Sequence, residues 1–173
     1  RLEERERFAR ERLSTRSSHA GMPGLLGGLD DRSVVLAFIE SYGMSVLQDP
    51  RYAGVLRPRL DELGRRMQKA WLSLATGSLV APTQGGQSWF SHGSLLSGLW
   101  LDNQAKYDVL LTTDRETLVD DFSHAGYETV ALMPAITLAW PEGEWFGYDR
   151  IYAFDDIDYA GPPLNWVTMP DQF

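Results

Sequence analysis

Residues 34–39, Val-Val-Leu-Ala-Phe-Ile, form an uncharged apolar run that leads directly into a carboxylate, Glu40, and then Ser41-Tyr42-Gly43. Such a run reads as a strand buried on both faces. A carboxylate at its end carries a charge that needs a partner. In open α/β sheets, ligands bind outside the carboxyl ends of the strands, where Glu40 falls. A second segment places Ser88 directly after Gly85-Gly86-Gln87 and before the helix-like run 89–99. Backbone N–H groups and the helix dipole favour an anion at that position. A carboxylate and a hydroxyl at two strand ends suit a divalent cation with a phosphate between them. The carboxylate is a hard ligand for Mg²⁺, Mn²⁺, Ca²⁺ or Zn²⁺ alike. Each residue also has a plainer use: Ser88 as a helix N-cap, Glu40 as a turn cap or a solvated charge. His92 follows Ser88 by one helical turn and suits phosphate binding or proton transfer near neutral pH. A packed or surface histidine is its alternative.

The same segments resemble the alkaline phosphatase/sulfatase superfamily, most closely its lipoteichoic-acid-synthase-like and phosphoglycerol-transferase-like branch. In that branch an apolar strand ends in Glu-Ser-Phe/Tyr and the Glu is a metal ligand. A Ser or Thr nucleophile follows some distance on, at the start of a helix. The resemblance therefore implies that Glu40 ligates a metal and that Ser88 is both a metal ligand and the nucleophile. Ser88-x-x-Ser91 and Leu95-Leu96-Ser97-Gly98-Leu99 are similar to the sulfatase signature. Weaker landmarks follow in order: Thr117-Leu118, Ala125-Gly126-Tyr127-Glu128-Thr129-Val130 and Gly147-Tyr148-Asp149-Arg150-Ile151-Tyr152. Trp140 matches a tryptophan that packs on glycerophosphate in the branch, which makes it a substrate-binding candidate beside His92. Glu142 stands where the branch has an arginine. Phe90 and His92 occupy the positions that formylglycine conversion requires to be Pro or Ala and Arg. An unmodified Ser88 attacking a phosphodiester fits these departures better than sulfate ester hydrolysis. In this superfamily an Asp-His pair completes the metal site downstream. The resemblance thus covers the N-terminal half of a catalytic domain, and the chain by itself is expected to be inactive.

Positioning these residues requires a sheet with helices. The pattern predicts strands at 34–39, 72–80 and 128–133, the last halted by Pro134. It predicts a helix over 52–71 with Leu56, Leu60, Leu63, Met67 and Trp71 on one face and Pro58 in its first turn. Further helices are expected over 89–99 and over 115–125, the latter capped by Thr113 or Asp114 and stopped by Gly126. This order implies an α/β fold: a mostly parallel sheet with helices on both faces, incomplete on the C-terminal side. Residues 1–32 are expected to form an Arg/Glu-rich solvated helix and a connector, and 33–173 the N-terminal part of the catalytic domain.

Charge is unevenly distributed. Residues 1–101 carry 13 basic and 10 acidic side chains, whereas 102–173 carry 3 and 14. The acidic half argues against nucleic acid as a partner, since phosphate backbones need clustered Lys and Arg. The absence of Cys excludes disulfides, thiolate catalysis and Cys-ligated zinc. No apolar run has the length to span a bilayer. The chain begins on Arg1 rather than Met, and the resemblance implies a longer parent anchored in a membrane through an N-terminal segment, with its catalytic domain on the extracytoplasmic face. The expected activity is that of a metal-dependent phosphotransferase or phosphodiesterase acting on an envelope phosphodiester or phospholipid headgroup. A sulfatase and a non-catalytic binding domain of the same fold are the alternatives.

Overall fold

A computed structural model describes residues 3, 6–9, 19–39 and 43–162. The chain divides into two compact units, one formed by Arg1–Val34 with Trp89–Phe173 and the other by Val35–Ser88.

In the first unit, three helices build most of the core: α3 (Ser88–Ser97), α4 (Gln104–Leu110) and α5 (Leu118–His124). We number them after α1 (Met44–Gln48) and α2 (Pro50–Lys69) of the second unit. Asn103 starts α4 by accepting the Lys106 N–H, and Tyr107 and Leu110 on its inner face are buried. Thr117 and Asp120 start α5 in a reciprocal capping box. Gly126, at φ 89°, ends it one residue after the Ala125 cap. Phe90, Leu101 and Leu110 are fully buried and pack with Leu99, Tyr107 and Phe8. Residues 6–9 are helical, with Glu6 and Arg7 exposed and Phe8 buried in this cluster. A second cluster gathers Leu96, Val119 and Phe146, and Trp145 packs against both clusters.

The sheet is smaller than expected. Strands β1 (Val130–Leu132) and β2 (Arg150–Tyr152) pair in parallel, Val130 opposite Arg150 and Leu132 opposite Tyr152. The crossover between them carries α6 (Pro141–Phe146), with Pro141 in its first turn and Glu142 and Glu144 beside the positive end of its dipole. A parallel pair needs such a crossover. The arrangement is a helix–strand mixture with a parallel pair, in keeping with α/β at that coarse level.

The entrance to both strands is clasped by Asp149. Its Oδ2 accepts from the Thr129 N–H at 2.6 Å and from Thr129 Oγ1 at 2.9 Å, and its own N–H donates back to Thr129 Oγ1. The Thr129 backbone N–H, then the Thr129 hydroxyl, hold the carboxyl below its ordinary value of 3.8. A carboxylate with a lowered folded-state pKa contributes stability above its unfolded value and loses it as pH falls through the folded one. Asp149→Ala is therefore expected to lower the urea midpoint at neutral pH. The difference from wild type should shrink as pH falls through the lowered folded-state value, below which the carboxyl is protonated in folded and unfolded chains alike. A gap that persists unchanged in acid would show that the clasp acts through packing instead.

In the second unit, Asp49 caps α2 by accepting the Arg51 N–H, and Pro50 occupies the first turn. The helix thus starts two residues before its expected position, which leaves Pro58 in the helix interior. It ends at Lys69, so Trp71 lies beyond it instead of completing the apolar face. The strands expected at 34–39 and 72–80 are not strands. Neither run has a ladder partner, and they are not buried: Val35 is 88% exposed and Leu79 89%. Their residues favour extended backbone locally, but a strand also needs a neighbour to pair with. Among the described residues, only β1 and β2 have one.

Candidate functional site

Ser88 is the best-defined candidate because its approach is unusual. Gly85, Gly86 and Gln87 have φ of 69°, 72° and 54°, three left-handed residues in succession. Glycine adopts that region freely, whereas Gln87 is a side-chain-bearing residue held there against its preference. The turn delivers Ser88 as the first residue of α3, which puts Gln87 rather than Ser88 in the N-cap position. Ser88 is half-buried, and among the described residues its hydroxyl has no hydrogen-bond partner. The N-cap role, its most common alternative use, is therefore not the one it has. What remains is a hydroxyl at the positive end of a ten-residue helix, beside N–H groups that lack intrahelical acceptors.

His92 is half-buried on the same helix, four residues on, and so shares a side of α3 with Ser88. The position between them is structural. Phe90 is fully buried, its ring 5.8 Å from that of Tyr107. Phe90 is thus committed to packing.

Trp140 is in a different setting. It precedes α6 with its ring stacked on Tyr148, centroids 6.4 Å apart and planes 30° apart. A Cβ at Gly143 would fall 2.4 Å from Trp140 Cε3, so glycine is what allows the indole to lie on the helix. The ring belongs to the second core cluster with Leu96 of α3. Its substrate-binding assignment competes with this packing role. Glu142, where the branch has an arginine, adds its charge near Tyr107; burial first and that charge second push the phenol up to about 12.

Glu40 lies outside the described residues, so its distance to Ser88 is not part of the geometry. Among the described residues, no group of three or more His, Asp or Glu is placed to hold a metal ion. The Ser88 hydroxyl is a single hard donor, and a cation there would need further donors. An open cleft of about 570 Å³ lies between residues 30–33 and the end of α5, lined by Asp30, Asp31, Arg32, Ser33 and Tyr127 among others. It contains none of the four candidates. A polar, open cleft of that kind does not enclose a ligand as binding pockets do.

The left-handed turn before Ser88 was signalled in the sequence only by the Gly pair. Gln87 has no such signature, and neither has Trp71, which sits at φ 58° with its side chain exposed. No protein-family model, curated protein or solved structure matches the chain.

Proposed function

We propose that the chain is part of a metal-dependent phosphotransferase or phosphodiesterase of the alkaline phosphatase/sulfatase type, with Ser88 as its nucleophile. One observation carries the reading: a half-buried serine hydroxyl, without a capping role, presented at a helix N-terminus by three consecutive left-handed residues. Backbone N–H groups at that end suit the oxygens of a phosphoryl group. A divalent cation held by Glu40 and donors beyond the described residues would lower the hydroxyl's pKa and share the phosphoryl oxygens. His92, on the same side of α3, is the residue to contact a phosphate oxygen or move a proton. The parallel crossover unit supports an α/β fold, and the larger parallel sheet of that superfamily is part of the proposal.

The proposed substrate is a phosphodiester of the cell envelope or a phospholipid headgroup, met on the extracytoplasmic face by a membrane-anchored parent. Among the described residues, no helix is long and apolar enough to cross a membrane. A test uses the protein with its natural flanking sequence, Mn²⁺ or Zn²⁺ and a chromogenic phosphodiester. Mass spectrometry after acid quench is expected to find a phosphoryl group on Ser88. An aldehyde at that position would assign sulfatase chemistry. An unmodified serine with no turnover would leave a binding domain.

A further inference from the structure

The far end of α2 presents a combination that neither the fold nor Ser88 uses, and we infer that it is a docking face for an anionic lipid surface. Leu56, Leu60, Leu63 and Met67 line one side of this helix by their spacing. Leu60 is 43% and Leu63 48% exposed. The apolar runs of the same unit are exposed as well, so they do not cover this stripe. Beyond the helix end, Trp71 is 96% exposed at φ 58°, with Leu72 and Leu74 exposed after it. The end itself is well formed: the Leu72 N–H bonds to the Met67 carbonyl at 3.0 Å and the Trp71 N–H to that of Gln68 at 3.1 Å. This is the position glycine usually fills, and a tryptophan there gains no burial in return for its strained backbone.

Charge indicates the occupant. Residues 44–71 carry six basic and three acidic side chains, a net +3 within a chain of net −8. Arg51 is paired with Asp49 and Arg65 with Glu62. Among the described residues, Arg59, Arg66 and Lys69 have no carboxylate partner. Arg59 and Arg66 stand four residues before and three after Leu63, and so flank the exposed stripe. An indole with an apolar body and a polar N–H favours the headgroup boundary of a bilayer. Long cationic side chains beside an apolar stripe keep their stems on it and their charges among anionic headgroups. Leucines, an outlying tryptophan and unpaired cations on one helix are the chemistry of that boundary.

The test uses the whole chain with phosphatidylcholine vesicles, with and without phosphatidylserine, read by cosedimentation. Binding is expected only to the anionic vesicles and should weaken with salt. Trp71→Gly is expected to weaken it about tenfold or more. Its melting temperature should hold or rise, because glycine suits the left-handed backbone. Lost binding in that variant is therefore not lost folding. Arg59→Gln with Arg66→Gln should weaken binding about twentyfold, at roughly fivefold per cation. Equal binding to both vesicle types, no binding, or indifference to Trp71→Gly would overturn the inference. So would a concentration-dependent dimer dissolved by Trp71→Gly, which would assign the face to a second copy of the chain.

Discussion

Ser88→Ala should remove phosphodiester turnover by on the order of a thousandfold or more, because no other group replaces a covalent nucleophile. The same substitution should leave stability within about 0.5 kcal/mol of wild type. The hydroxyl has no partner to lose among the described residues, and alanine is the better helix former. An N-cap serine behaves differently, costing about 0.5–2 kcal/mol when truncated. Kinetics and denaturation on one variant therefore separate the two roles. A large loss of turnover with unchanged stability supports the nucleophile. Near-normal turnover with a lowered urea midpoint would return Ser88 to the capping role. Glu40→Gln should also abolish turnover, by weakening the metal site, with partial rescue by excess metal.

Phe90→Ala is the substitution expected to damage the fold most. The side chain is fully buried in a cluster with Tyr107, Leu99, Leu101, Leu110 and Phe8, contributed by three other stretches of chain. Truncation removes the transfer free energy of the ring and leaves a cavity that those neighbours close only in part. The expected loss is about 3–5 kcal/mol, a large fraction of the ~5–15 kcal/mol that holds a domain of ordinary size. Urea denaturation of the intact chain measures it as a lowered midpoint at unchanged slope. A loss below about 1 kcal/mol would mean that the core around Phe90 repacks freely and that close-packing is not what fixes α3 against α4.

Local signals were the readable part of this sequence. Gly126 ends α5 where its backbone freedom indicated, and Pro134 follows β1 closely. The capping box Thr117-x-x-Asp120 was also readable, and it sets the start of α5 three residues later than Asp114 would. Helix α4 went unmarked although Asn103 followed by Tyr107 and Leu110 is a cap with an apolar pair. So did α6, despite a proline in its first turn and two glutamates beside it. What the sequence could not supply was pairing. Apolar β-branched residues at 34–39 prescribe an extended backbone, but the partner is a non-local choice that no local pattern encodes. The candidate site follows the same division. A glycine pair and a serine before a helix were visible, whereas the left-handed Gln87 and the side-chain neighbours of Ser88 were not.

The first unit also closes a long circuit of chain. His19 Nδ1 lies 2.8 Å from Asp121 Oδ1, and the Tyr127 hydroxyl donates to the Leu29 carbonyl; these contacts span 102 and 98 residues. The whole Val35–Ser88 unit lies inside that circuit. Joining points so far apart costs on the order of 4 kcal/mol in loop entropy, which the packing of residues 19–34 must exceed. The cost grows only with the logarithm of length, so doubling the enclosed chain adds about 0.6 kcal/mol. The second unit can thus lengthen or shorten with little added cost to closing that circuit. In that sense it is an insert whose size the host domain scarcely registers.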